Sequence, residues 1–205
     1  AIAVGEAVTG QMESTSDTDW YSFEITQQGY FYLDFEVDKY ATESQINNGW
    51  DLEVYTSDGQ NMIYQWTGFK DNFTSKKMPY EPGQYYIKIK NDWSLSGYAP
   101  VNVGYSITVH EQAATGWESE FNSTRKTANP IPTDTNTIYA TVGKNDKDGD
   151  WFSFGVATRS IVTIDLRYDG RATSDERGNG LSVELFKENE TTARSSATGR
   201  TEDYT

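Results

Sequence analysis

The sequence lacks cysteine and is poor in several other residues that carry chemistry. Without cysteine the chain can form no disulfide and offers no thiol nucleophile. It has a single histidine, His110, and no nucleophile-elbow signature, HExxH zinc motif or phosphate-binding glycine loop. No apolar run approaches the roughly 20 residues that a membrane helix needs. We therefore expect neither an enzyme nor a membrane-spanning protein.

Basic residues are also scarce relative to acidic ones. The chain has 17 Lys and Arg residues against 31 Asp and Glu residues, which gives a formal net charge of -14. Such a charge repels nucleic acids and anionic membrane surfaces, so neither is an expected partner. The same charge suits an extracellular or surface protein, or one that collects cations.

The sequence contains one short motif twice. DTDWYSF occupies residues 17–23 and DGDWFSF occupies residues 148–154, and around them residues 7–55 align with 138–186 without a gap. We interpret this as a tandem duplication. The expected organisation is a first repeat over 1–110, a linker over 111–116 and a second repeat over 117–205. Neither copy is expected to be complete, and the second is expected to lack its C-terminal part.

Alternating apolar residues predict β-strands. Every second residue is apolar in 20–25, 30–37, 50–55 and 85–89, and glycine-containing turn signals separate these runs. A strand with one apolar and one polar face is typical of antiparallel sheets packed face to face. The predicted fold class is therefore all-β, with two tandem antiparallel β-sandwiches.

Oxygen-bearing side chains at alternate positions form two candidate metal-binding groups in the second copy. The group ahead of the aromatic strand is Asp146, Asp148 and Asp150, and the upstream group is Glu118, Glu120 and Asn122. Alternate residues of an extended backbone project to the same side, so each group presents its oxygens together. Ca²⁺ takes about six to eight oxygen ligands of this kind. The open alternative is a solvated acidic loop, because exposed aspartate is common in turns.

The order of these motifs resembles the bacterial pre-peptidase C-terminal domain family, which includes the collagen-binding domains of clostridial collagenases. The second copy carries WESEFNSTRKTANPI (117–131), NDKDGDWFSF (145–154), IVTIDLRY (161–168) and LSVELF (181–186). The first copy carries EPGQYYIKIKN (81–91) and YSITV (105–109). The resemblance implies β-sandwiches of jelly-roll type, secretion and a non-catalytic accessory role beside an extracellular peptidase.

The resemblance also implies a calcium site between the upstream acidic segment and the loop before the aromatic strand. By position, Glu118, Glu120 and Asn122 match the upstream ligands and Asp150 matches the ligand at the strand entry. The remaining loop ligand is either Asp148 or Asp146. Ser123 stands where the family has an aspartate, which weakens or removes one ligand.

The first copy keeps part of this pattern. Asp17 and Asp19 occupy the acidic loop before its aromatic strand, but no acidic segment precedes them. Calcium is therefore expected in the second repeat more than in the first.

Two functions follow from these features. The first is a calcium-stabilised secreted module that binds an extracellular polymer, either a collagen-like protein or a polysaccharide, or acts as a spacer beside a peptidase. Its candidate ligand-binding residues are Tyr55, Tyr86 and Trp93, for which ordinary surface packing is the alternative. The second function is a structural subunit of a cell-surface filament or layer, in which a neighbouring subunit's strand fills an incomplete sandwich.

Overall fold

A computed structural model describes residues 1–42, 46, 49–91, 102–131, 137–141, 149–167 and 181–199. The chain divides into two compact units, Ala1–Gly155 and Val156–Thr205. All named elements of the described residues are β-strands, which confirms the predicted all-β class. The first eight strands are β1 Ala7–Gln11, β2 Thr18–Ile25, β3 Gly29–Val37, β4 Trp50–Tyr55, β5 Met62–Phe69, β6 Phe73–Thr74, β7 Gly83–Asn91 and β8 Gly104–Ala113.

These eight strands form two four-stranded sheets in the jelly-roll order. One sheet has the order β1-β8-β3-β6 and the other has the order β2-β7-β4-β5. The antiparallel pairs β1/β8, β2/β7, β3/β6 and β4/β5 are nested, as if one long hairpin had been rolled up. The described residues of the predicted first repeat therefore form an eight-stranded sandwich. The expectation that this copy is incomplete stays a prediction.

A single core lies between the two sheets of this sandwich. Phe31, Leu33 and Phe35 of β3 are fully buried and alternate with the half-buried Tyr32 and Asp34, as the period of two predicts. Aromatic rings join the sheets across the core. The ring centroids of Phe23 and Phe31 lie 5.2 Å apart, and those of Phe35 and Trp50 lie 5.6 Å apart. The solvent-facing sides of the strands carry polar and aromatic side chains.

The predicted linker is partly strand. Strand β8 continues through Ala113, because its pairing with β3 extends to Gly29 opposite Ala113. The first compact unit then continues to Gly155, so it includes the segment from Trp117 onward that the repeat assigns to the second copy. In this segment β9 (Asn129–Pro130) and β10 (Phe152–Ser153) form a short parallel pair.

The second unit contains one described hairpin. Strands β11 (Leu181–Leu185) and β12 (Ser195–Gly199) pair antiparallel, and β11 agrees with the strand predicted over 181–186. The strand predicted over 161–168 is not formed by its described residues 161–167, where Ile161 is 97% exposed. Its apolar alternation has no sheet to pack against among the described residues. A second sandwich over 117–205 stays a prediction.

Within the part of the chain that the structure describes, no helix has the length and apolar character to cross a membrane.

Candidate metal centre

The upstream acidic segment is held in an extended form by backbone hydrogen bonds on both sides. The Glu118 amide donates to the carbonyl oxygen of Tyr139 at 2.9 Å, and the Glu120 amide donates to the carbonyl oxygen of Pro79 at 3.1 Å. Because side chains alternate along such a backbone, Glu118, Glu120 and Asn122 are buried while Phe121 is half exposed. The alternation seen in the sequence therefore does bring three oxygen-bearing side chains to one side.

Three carboxylates converge at this point. Glu118, Glu120 and Asp150 each place one carboxylate oxygen within 4.8 Å of the others. Asp150 reaches the segment because the Trp151 amide donates to the Asn122 carbonyl oxygen at 3.0 Å, which joins the loop before β10 to the segment. The resemblance predicted that two distant acidic stretches meet, and these three carboxylates are among the ligands that it named.

Asn122 supplies a second kind of ligand atom. Its side-chain nitrogen donates to Glu118 Oε2 at 3.2 Å and to Asn129 Oδ1 at 2.9 Å. Its side-chain carbonyl oxygen is buried and receives no hydrogen bond in the described part of the chain. A buried carbonyl oxygen without a donor is costly, and a cation offsets that cost as well as a hydrogen bond does.

The remaining contacts of Glu118 orient it. Glu118 Oε1 accepts from the Thr141 amide at 2.5 Å, while Oε2 accepts from Asn122. When ionised, carboxylates whose oxygens lie within 4.8 Å of one another repel by at least about 3 kcal/mol per pair at an effective dielectric constant of about 20. A group of this kind could hold a metal ion.

This centre is attached to the turn before β7 of the first sandwich. Glu120 forms a parallel bridge with Tyr80, and Ser119 Oγ donates to Glu81 Oε1 at 2.5 Å. The Trp117 ring lies 4.8 Å from the Tyr30 ring. Sequence reasoning missed this attachment, because it placed the segment entirely in the second sandwich and no local signal marks the contact.

The other predicted ligands are either outside the described residues or in other contacts. Asp146 and Asp148 lie outside the described residues. Asp17 of the first copy accepts hydrogen bonds from the amides of Glu13 and Thr18, at 2.7 and 2.8 Å. These contacts describe a turn that leads into β2, and a metal role for Asp17 stays a prediction.

Asp19 of the first copy serves as an acceptor at the edge of the core. Its Oδ2 accepts from the buried Tyr105 hydroxyl at 2.5 Å, and the Tyr21 hydroxyl lies 3.0 Å from that of Tyr105. Burial together with these hydrogen bonds raises the pKa of Tyr105. Among the described residues, neither Asp17 nor Asp19 lies in a group of three acidic side chains. A metal role for Asp19 also stays a prediction.

The predicted ligand-binding aromatics are only partly described. Tyr55 and Tyr86 face outward on β4 and β7, directly opposite each other, whereas Trp93 lies outside the described residues. The Tyr55 hydroxyl donates to Glu53 Oε2 at 2.6 Å, and burial with this contact raises the pKa of Tyr55. Trp20 of β2, which was not named as a ligand-binding residue, packs 5.3 Å from Tyr55 and is half exposed.

The single histidine is engaged on the outer face of the other sheet. His110 Nε2 lies 2.8 Å from Asp34 Oδ2, and its ring stacks on Tyr32 at 4.6 Å. The other oxygen of Asp34 accepts from the Thr74 hydroxyl at 2.6 Å. The carboxylate thus lies between the imidazole and the hydroxyl, which differs from the triad order, where the imidazole is central.

Comparisons with known proteins find structural similarity only. No family model and no curated protein matches the chain. The pre-peptidase C-terminal domain of a Bacillus anthracis collagenase is 19% identical, with a TM-score of 0.35, over 53% of this chain and 90% of that one. A Sulfurospirillum deleyianum protein is 8% identical, with a TM-score of 0.32, over 52% of this chain and 98% of that one. A carbohydrate-binding module of Cellvibrio mixtus lichenase 5A, in complex with cellotriose, is 15% identical, with a TM-score of 0.30, over 53% of this chain and 88% of that one.

Proposed function

We propose that the chain is a non-catalytic, calcium-stabilised accessory module of a secreted or cell-surface protein. In this role it binds an extracellular polymer, either a collagen-like protein or a polysaccharide, or acts as a spacer beside a peptidase. The observation that carries the calcium part is the convergence of Glu118, Glu120 and Asp150 with the buried carbonyl oxygen of Asn122.

The residues fit a calcium ion in charge and in chemistry. Three carboxylates and one amide carbonyl are hard oxygen donors, and water can complete a coordination number of about six to eight. When bound, the ion would supply positive charge that offsets the repulsion among the carboxylates. The chain's own contribution is to hold the donors in place, through the Asn122 carbonyl on one side and the Pro79 carbonyl on the other.

Calcium would then connect two parts of the first unit. Glu120 lies in the segment that hydrogen-bonds to the turn before β7, and Asp150 lies in the loop that leads into β10. A ligand that binds only the folded arrangement stabilises it by mass action, by about 2.7 kcal/mol at 100 times its dissociation constant. For a protein of this size, that free energy corresponds to a rise of about 5–10 °C in the unfolding midpoint.

The test is thermal unfolding in excess Ca²⁺ and in EDTA at matched ionic strength. The unaltered chain is expected to unfold at a higher temperature in Ca²⁺, and a Glu120→Gln/Asp150→Asn variant is expected to show no such rise. A Glu24→Gln/Glu36→Gln variant is the matched control, since it removes two exposed carboxylates from β2 and β3. Superimposed curves for the unaltered chain, or a full rise in the Glu120/Asp150 variant, would refute the site.

A further inference from the structure

The outer face of the sheet β2-β7-β4-β5 carries a shallow depression of ≈ 340 Å³. Its lining residues, here called the Trp20 surface, are Trp20, Ser57, Asp58, Gly59 and Tyr86. The volume lies near the lower end of the range of about 300–1,000 Å³ that is typical of small-molecule sites. The depression combines two outward aromatic residues from neighbouring strands with polar residues from the turn between β4 and β5.

The Trp20 ring is accessible to a ligand and is also packed against neighbouring side chains. It is 50% exposed, although its strand neighbour Phe23 is buried in the core. The Tyr55 ring packs against it at 5.3 Å, and Lys88 Nζ lies 5.5 Å from the ring centroid. Support by fixed neighbours lowers the entropy lost when a ligand packs on the indole.

The support beneath this face is an ionic network centred on the buried Glu53. Its carboxylate accepts from the Tyr55 hydroxyl at 2.6 Å and pairs with Lys90 Nζ at 2.6 Å and Lys88 Nζ at 3.3 Å. The two lysine contacts connect β4 to β7, whereas Glu53 and Tyr55 both lie on β4. Tyr55 and Lys88, which both lie against the Trp20 ring, are therefore both anchored to one carboxylate.

The polar wall of the depression is equally ordered. Asp58 Oδ1 accepts from the Thr56 hydroxyl at 2.7 Å and from the Gln60 amide at 2.9 Å, and Oδ2 accepts from Asn61 Nδ2 at 2.8 Å. These hydrogen bonds, chiefly the one from Thr56, lower the pKa of Asp58, so its carboxylate stays ionised. The Asn61 amide also donates to Oδ1, at 3.2 Å. Each carboxylate oxygen has about two acceptor positions, and Asn61 Nδ2 occupies one of those on Oδ2, so the other can accept from a ligand hydroxyl.

We propose that the Trp20 surface binds a neutral saccharide chain, with one sugar ring packed on the Trp20 indole and its hydroxyls bonded to Asp58 and Tyr86. This inference rests on the proposed function, of which it specifies the polymer. An indole face beside hydrogen-bonding groups matches a sugar ring, which has an apolar C–H face and hydroxyls at its edge.

Charge and hydrogen bonding favour this ligand over the alternatives. The ionised Asp58 and a net charge of -14 disfavour an anionic polymer. A proline-rich extended peptide packs on aromatic rings too, but proline has no N–H to donate to a carboxylate. A sugar hydroxyl is a donor that the carboxylate can use.

The experiment is affinity electrophoresis of the whole chain in native gels that contain hydroxyethyl cellulose, xylan or glucomannan. Gels with polygalacturonate, and pull-down with fibrillar collagen, serve as contrasts. At least one neutral polysaccharide is expected to retard the chain, and Trp20→Ala is expected to weaken that binding about tenfold or more. Trp20→Phe should have an intermediate effect, because it keeps a smaller aromatic face.

The matched control is Tyr40→Ala, which removes an aromatic side chain that is 79% exposed outside the Trp20 surface. Equal retardation of Trp20→Ala and the unaltered chain, absence of retardation by all three neutral polysaccharides, or binding to collagen alone would overturn the inference. The calcium-dependent unfolding midpoint, measured on the same samples, reports separately on the proposed function. A retained calcium effect without saccharide binding would reject the saccharide site only.

Discussion

Replacing Asp19 by asparagine tests the role of the repeated acidic motif in the first copy. Tyr105 is 3% exposed, and its hydroxyl donates to Asp19 Oδ2 at 2.5 Å. A hydrogen bond to a charged group contributes about 1.5–3 kcal/mol to stability. We expect Asp19→Asn to lower the free energy of unfolding by about 2 kcal/mol. The corresponding fall in the unfolding midpoint is about 4–8 °C.

The assay is urea unfolding followed by tryptophan fluorescence, in Ca²⁺ and in EDTA. Asp19→Asn, Tyr105→Phe and the double variant form a cycle whose coupling energy is expected to be about 1–2 kcal/mol. Glu24→Gln, an exposed change on the same strand, is the control. Suppose that Asp19→Asn has the stability of the unaltered chain in EDTA and loses only a calcium response. Asp19 would then be a metal ligand, as the sequence predicts, and the structural explanation would be refuted.

Two further predictions concern pH. Burial raises the pKa of Glu53, but hydrogen bonds from Lys90 and Tyr55 outweigh it and lower the pKa below 4.5. The stabilisation by the ionised Glu53 is therefore present above pH 4.5 and is lost as the pH falls below it. The difference in unfolding midpoint between the unaltered chain and Glu53→Gln should shrink as the pH is lowered. A constant difference would contradict this. Burial, with the negative charge of Glu81, raises the pKa of Tyr85 to about 12. Between its unfolded pKa of about 10 and about pH 12, the unfolded state releases a proton that the folded state keeps. Urea titrations should show the unaltered chain losing up to about 2.7 kcal/mol relative to Tyr85→Phe over that interval. Parallel curves would exclude the shift.

The strands were predictable because burial of one face in a sandwich produces a local alternation of apolar and polar residues. Phe31, Leu33 and Phe35 are apolar since they face one core, and the residues between them are polar since they face water. The same pattern was misleading at Val162 and Ile164, which alternate in the same way but are exposed. Alternation reports on the potential to form a half-buried strand, and the structure decides whether a partner sheet is present.

The candidate centre was predictable in part for a different reason. Alternation within the upstream segment put Glu118, Glu120 and Asn122 on one side, and the family resemblance brought Asp150 to them. The attachment of this segment to the Pro79 carbonyl is a tertiary contact with no sequence signature. The same holds for the link between Asp19 and Tyr105, which are 86 residues apart.

The nested pairing of the first sandwich has a consequence for how the chain folds. Among the four nested pairs, only β4 and β5 are consecutive in the chain and joined by a turn, which Asp58 orders, whereas β1 pairs with β8 at the other end of the sandwich sequence. Distant pairings are slow to form because the intervening loop must close first. We expect the β4–β5 hairpin to form early and the roll to grow outward from it. During synthesis, β1 then has no pairing partner until β8 is synthesised, and its edge stays unpaired until that strand forms.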